Sequence, residues 1–361
     1  MNSSGNPVEG AGTDAGAVQP APAVGAPLGI PAGGHVPVLL AEVLSGLNVR
    51  PGGSYLDGTF GAGGYTSAIL ATAGARVIAL DRDPHAIASG AGLAAREPER
   101  LQLVRARFGD LGEVSQRLGI QALDGVTFDI GVSSMQIDEA ARGFSFRFDG
   151  PLDMRMEAVG RSAADIVNEA DAETLADIFH FYGEERMARR LARAIVADRI
   201  AQQFFSTRQL AELAGRVIPH KPMEIHPATR VFQALRIAVN DELGQLVQGL
   251  VAAERILAPG GRLAVVSFHS LEDRIVKQFF AQRSGRGQAR SRLLPGEPSV
   301  AAPTFEPIGR QPTIAGEAEI AANPRARSAK LRVMARTDAP ARPVDPRLLA
   351  LASLPVHRRR A

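Results

Sequence analysis

The sequence predicts an α/β protein: a largely parallel sheet covered by helices on both faces, interrupted by an inserted helical subdomain. Three observations carry this. Short apolar runs alternate with helical stretches from about His35 onward. The runs are almost continuously apolar, as strands buried on both faces require. The interval from about Met135 to Ala258 is far too long for one crossover, yet most of it repeats apolar residues every three to four positions.

The elements follow in order. Residues 1–34 are mostly Gly, Ala, Pro and Ser, which bury too little to offset the entropy of ordering, so a disordered tail is expected. With no basic start and no apolar core, they do not read as a signal peptide. Strands are predicted at 54–59, 76–81, 101–108, 125–132 and 262–269, with a last strand at 329–335 closing the sheet edge. Helices at 65–72 and 84–94 fill the first crossovers. Helical periodicity then places 173–182, 184–201, 207–217, 227–239 and 241–257. Pro227 suits a first helical turn and Gly183 a stop. The Gly-, Pro-, Arg- and Ser-rich stretch 283–323 reads as a long loop. The expected division is a main domain of 35–138 and 240–336, an inserted substrate-binding subdomain of 139–239, and a loose basic tail of 337–361.

Composition narrows the function classes. The 361 residues are 45% hydrophobic but only 5% aromatic, so aliphatic side chains dominate the core. No cysteine means no disulfide and no thiolate metal site; no metal centre is expected. The lack of cysteine fits a cytoplasmic protein, and no apolar run approaches the ~18 residues of a membrane span. The formal charge is +3. Lys221, Lys277 and Lys330 are the only lysines, so almost all positive charge is arginine. Guanidinium forks suit phosphates, though an Arg-rich coding bias gives the same composition.

The chemistry concentrates at strand ends. Asp57-Gly-Thr-Phe-Gly-Ala-Gly-Gly-Tyr-Thr66 closes the first strand and opens a helix, where α/β sheets bind nucleotides. The third glycine of a dinucleotide fingerprint is missing. Asp57 before the turn suits a ligand bearing an ammonium group and would repel a pyrophosphate; otherwise it is a solvated residue in a tight turn. Asp81 ends the second strand, where a carboxylate can accept both hydroxyls of a ribose. Phe108 ends the third and can either stack on an adenine or fill the core, with Asp110 beside it to accept from an amino group. Asp129 ends the fourth, in the same crevice. Transfer of a methyl from a sulfonium to an amine makes that amine cationic, and Asp129 can stabilise the charge and take the proton. Gln136 is a second polar contact. His269, after the fifth strand, is a candidate substrate contact; a capping role for Ser270 is the competing reading. An aromatic wall for a base can come from Phe144, Phe146 and Phe148, whose alternation equally fits a strand burying one face. Arg186, Arg189, Arg190 and Arg193 share one face of the 184–201 helix, either to meet phosphates or as a solvated face paired with Glu184 and Glu185.

These motifs together resemble the MraW type of ribosomal small-subunit methyltransferases. The matching stretches include His35-Val-Pro-Val-Leu-Leu40, Asp57 to Gly64, Ala79-Leu-Asp-Arg-Asp-Pro84, Asp129 to Ser134, Tyr182-Gly-Glu-Glu-Arg186, His226-Pro-Ala-Thr-Arg-Val-Phe-Gln233, Ser267 to Arg274 and Asn323-Pro-Arg-Ala-Arg-Ser328. They span about His35 to Arg336. The resemblance implies a class I (Rossmann-like) fold, S-adenosyl-L-methionine as cofactor, and N4-methylation of a cytidine in the decoding region of 16S rRNA, with the small ribosomal subunit as partner. It places cofactor contacts at Gly63, Gly64, Tyr65, Asp81, Phe108, Asp129 and Gln136. The family usually has Arg-Gly-Gly-His where this chain has Ala62-Gly-Gly-Tyr65, and Ser-Ser-Pro-Gln where it has Ser133-Ser-Met-Gln136. Backbone contacts at Tyr65 survive that change; a side-chain role need not. The rival readings are a methyltransferase of DNA or protein, a nicotinamide oxidoreductase, and a non-catalytic ribosome-assembly factor. The oligomeric state is left open, a homodimer among the options.

Overall fold

The computed structural model describes residues 37–221, 226–285 and 301–355. The expected tail at 1–34 lies outside the described residues.

Eight strands form one sheet: β1 (Ser54–Asp57), β2 (Arg76–Asp81), β3 (Leu101–Arg105), β4 (Leu123–Asp129), β5 (Leu257–Ser267), β6 (Phe305–Pro307), β7 (Thr313–Ile314) and β8 (Lys330–Arg336). Their order is β3-β2-β1-β4-β5-β8-β6, with β7 also on β8. The first five pair in parallel, and β8 runs antiparallel to β5. Strand order reverses between β1 and β4, the point where open α/β sheets place a ligand crevice at the carboxyl ends of their strands.

Alternation along each strand feeds two hydrophobic clusters. Leu56, Leu80 and Phe128 join one with the helices Ala163–Glu169, Ala228–Asn240 and Glu242–Ile256. Tyr55, Val77, Ala79 and Val266 join the other with Leu39, Tyr65 and Ile69. The first cluster runs without a break from the sheet into the helices between β4 and β5, so those helices share the sheet's core. Further ties hold them. Glu157 accepts from Arg82 Nε (2.7 Å) and Arg107 Nη2 (2.9 Å), which leave the ends of β2 and β3. Asn240 brackets the same loop, accepting from Met156 N and donating to Met154 O.

Four expectations are corrected. β8 is interior, because the stretch read as a loop supplies β6 and β7 on its outer side. Those strands are three and two residues long, too short for a periodic signal. Residues 143–150 form no strand; a side chain on Gly143 (φ +71°) would meet Pro151 O at 2.2 Å, so the chain turns there. Phe144 is therefore buried, Phe146 sits against Phe232 and His226, and Phe148 is exposed. The helix expected from 184 begins at Ala188, because Glu184 takes a positive φ of 49°. Finally, 337–355 is not loose. Arg283 Nη2 donates to Pro343 O (2.8 Å), and helix Pro346–Ala352 buries Leu348 and Ala352. Residues 356–361 lie outside the described residues.

Candidate functional site

The glycine loop is held from both sides. Asp57 is fully buried; Oδ2 accepts from Thr66 Oγ1 (2.7 Å) and Oδ1 from Thr59 N (3.1 Å). It is neither the solvated residue nor the open ammonium acceptor that the sequence allows; it braces the loop across β1 and the helix Gly64–Leu70. Asp81 holds the other side, accepting from Gly61 N and Asp83 N, each at 2.8 Å. Each of its oxygens keeps a second lone pair, and the residue is only partly buried, so acceptor capacity remains.

Gly63 and Gly64 are required by contact. Gly63 has φ +77°, and a β-carbon there would meet the Phe60 ring at 2.7 Å; one on Gly64 would meet Pro37 Cγ at 2.1 Å. The loop thus packs too tightly against Phe60 and Pro37 to carry side chains at these two positions. Tyr65 turns its side chain away: the ring is buried in the second cluster and its hydroxyl donates to Val38 O.

Phe108 leaves β3 through a short 3₁₀ turn, Phe108–Asp110. Its ring lies 5.2 Å from that of Phe128, and a β-carbon on Gly249 would meet it at 2.7 Å. The core reading therefore accounts for one side of the ring, which stays partly exposed on the other. A cavity of about 320 Å³ lies on the outer side of this turn, lined in part by Asp110, Glu113, Val251 and Arg255; Asp57, Asp81 and Asp129 do not border it.

Asp129 differs from the other two aspartates. Its backbone N–H donates to Thr59 Oγ1 (2.7 Å), but its side-chain Oδ1 is buried with no hydrogen-bond partner. Burial, then the charges of Asp57 and Glu272, hold its carboxyl well above the usual range. Burial also raises Asp57, and pushes Asp81 up to about 6 against its backbone donors. Three carboxylates thus sit in one low-dielectric crevice, and only Asp129 lacks a satisfied acceptor.

Gln136 is buried and committed within the chain. Its Nε2 donates to Asp83 Oδ2 (2.8 Å), and its Oε1 accepts from Ser133 N in a reciprocal cap of helix Ser134–Asp138. Asp83 Oδ2 also meets Arg142 Nη2 at 2.9 Å. This Asp83–Gln136–Arg142 junction locks the segment after Asp129 to the end of β2. Sequence reasoning missed it: Asp83 before Pro84 is readable as a helix cap, which it is, but not as a long-range hub.

The cap that the sequence offers to Ser270 falls on His269 instead. It caps helix Ser270–Arg283, accepting at Nδ1 from Glu272 N (3.4 Å), while Nε2 lies 2.9 Å from Glu272 Oε1 without hydrogen-bond alignment. Glu272 is fully buried and accepts from Phe268 N and His269 N. Burial works to raise its carboxyl, but His269, Arg236 and those amides outweigh it and the group is lowered. Glu242, His269 and Glu272 bring ligand-type atoms within 4.8 Å of one another. Arg236 donates to both oxygens of Glu242, at 2.7 and 2.8 Å, so the cluster is a buried charge network already holding its cation.

On helix Ala188–Ala201, Arg189, Arg190 and Arg193 are exposed, as is Arg186 just before it. The acidic pairing that the sequence offers them is absent. Glu184 instead accepts from Ser270 and Arg274, and Glu185 is buried against Met187 N. Among the described residues, none of the four arginines forms an ion pair. Glu184 meanwhile ties the start of this arginine face to the helix that follows β5.

A glycine-rich turn after β1, a carboxylate ending β2 and an orphaned carboxylate ending β4, on a sheet whose last strand is antiparallel, define a class I S-adenosylmethionine-dependent methyltransferase. The profile of the MraW methylase family matches residues 32–337, and the chain belongs to that family. A ribosomal RNA small subunit methyltransferase H from Methylocella silvestris is 66% identical over 321 residues, 89% of this chain and 93% of the relative. Its counterpart from Beijerinckia indica is 62% identical over 321 residues, 89% and 90% of the two chains. A putative rRNA methylase from Clostridium thermocellum, among solved structures, overlaps at TM-score 0.39 with 12% identity, covering 84% of this chain and 99% of the other.

Proposed function

We propose that this protein methylates the N4 amine of a cytidine in the decoding region of 16S rRNA, within the small ribosomal subunit and in the cytoplasm. The observation that carries the reading is the unpartnered Asp129 oxygen at the end of β4, in a chain of the MraW family. No described helix is long and apolar enough to cross a membrane.

S-adenosyl-L-methionine supplies an electrophilic methyl on a sulfonium. The residues present fit it: a loop free of side chains at Gly63 and Gly64, acceptor capacity on Asp81 for ribose hydroxyls, and a partly open Phe108 ring. Tyr65 contributes through its backbone only. Gln136 acts by fixing the segment after Asp129. The cytosine amine would be the nucleophile toward that methyl. The amine becomes cationic and loses a proton. Asp129 accepts a hydrogen bond from the amine and then that proton; its high proton affinity makes it a stronger acceptor than a solvated aspartate. A conjugated amine is a poor nucleophile, so alignment carries much of the rate.

Arg189 and Arg193, with Arg186 and Arg190, meet the phosphates of the RNA, and the cytidine leaves its stack to reach the crevice. The test is methyl transfer from labelled S-adenosylmethionine to undermethylated 30S subunits, followed by nucleoside analysis. N4-methylcytidine is expected. Label on a base carbon or a ribose, or preference for DNA or protein in competition, overturns the reading; no transfer at all leaves an assembly factor.

A further inference from the structure

We propose that Phe268 is the wall on which the target base stacks while its amine faces Asp129; this rests on the function proposed above. Asp129 pairs with Val266 across β4 and β5, and Ile130 N donates to Val266 O (2.9 Å). Paired residues in a parallel ladder face the same side of the sheet, and so do residues two apart in one strand. Gly131 and Phe268 therefore continue the face that carries Asp129. They lie just past the strand ends, where the crevice is. A side chain on Gly131 (φ +115°) would stand 3.7 Å from Phe268 Cδ2, so the glycine leaves open space at the ring's edge.

The ring is only partly buried, resting on the second cluster with its remaining surface open. Its backbone is anchored: Phe268 N donates to the fully buried Glu272 at 2.8 Å. Three of the other aromatic candidates are already engaged. Phe144 is buried, Phe146 packs on Phe232 and His226, and Phe108 packs on Phe128. Phe148 is exposed, on a loop whose carbonyl is held by Thr207 in the inserted helices. Stacking would fix the plane of a pyrimidine, which an in-line approach of its amine requires.

The experiment compares Phe268→Leu, which keeps apolar volume but loses the π-face, with Phe268→Tyr, which keeps it. For Phe268→Leu, kcat/KM toward undermethylated 30S should fall about 5- to 100-fold. Cofactor affinity by calorimetry and the melting temperature should stay near wild type. Phe268→Tyr should recover most of the rate. A wild-type kcat/KM in Phe268→Leu overturns the proposal. So does a loss of cofactor affinity or melting temperature in proportion to the rate, which makes the ring scaffold. Failure of the function itself is distinguishable: the wild type would then place no methyl on cytidine N4.

Discussion

At the scale of single residues, the crevice separates carboxylates that build from one that reacts. Both oxygens of the fully buried Asp57 accept a hydrogen bond, and Asp129 Oδ1 accepts none. Asp129→Asn should lower methyl transfer about 10²-fold or more while leaving the fold intact by circular dichroism. Burial and its acidic neighbours raise the proton affinity of Asp129, so the rate should rise with pH as it ionises. That limb should vanish in the variant's residual activity. Asp81 titrates near 6. The ribose needs the charged acceptor, so cofactor affinity should hold above pH 6 and fall as pH drops through it, as calorimetry across the range would read. Asp81→Asn replaces one of two oxygens that accept backbone amides with an NH₂ group. We expect a cofactor Kd about tenfold higher, with kcat at saturating cofactor less affected. The positions of these aspartates were legible in the sequence, because a carboxylate closing an apolar strand is visible as such. Their partners were not. Thr66 against Asp57 and Gln136 against Asp83 depend on how separate segments meet, which periodicity does not encode.

At the scale of elements, the loop and the arginine helix make separable predictions. Gly64→Ala pushes a methyl into Pro37, so the helix start or the 37–40 segment must shift; cofactor affinity should drop with little change in the RNA dependence of the rate. Arg189→Glu with Arg193→Glu should do the reverse, raising KM for 30S several-fold and reducing the salt slope of binding by about two. An unchanged slope would mean that RNA docks on another face. The parallel strands and most helices were readable because continuous apolar runs and three-to-four periodicity are strong signals. The phenylalanine alternation at 144–148 misled: two turns at Gly143 and Gly150 send the three rings to different environments. The start of the arginine helix was misplaced because one residue, Glu184, adopts a backbone angle that composition does not announce.

At the scale of the whole molecule, the C-terminal segment belongs to the core. Glu254 and Arg283 form a buried pair at 2.8 Å, and Arg283 reaches on to Pro343. Tyr182, at the end of the first long inserted helical stretch, donates to Ala352 O (3.1 Å). Leu348→Ala should cost about 2–4 kcal/mol of stability, read as a lower melting temperature, with activity kept at low temperature. The sequence hid this because the segment is rich in Pro and Arg, and three leucines and two alanines in a seven-residue helix give too little pattern.

The position of β8 has a consequence in time. It lies between β5 and β6, pairing Lys330 with Ser267 and sending Lys330 and Arg332 to Asp273, on the helix that His269 caps. During synthesis, β5 and that helix, which ends at Arg283, leave the ribosome well before β8 begins at Lys330. Until then the strand that carries Phe268 has a bare edge, and its helix lacks both cations. A nascent chain can assemble the cofactor side of the crevice early, since β1 to β4 precede everything else. The substrate side waits for the last strand, so an incomplete chain would be able to load its methyl donor and yet have no firm place to present a base to it.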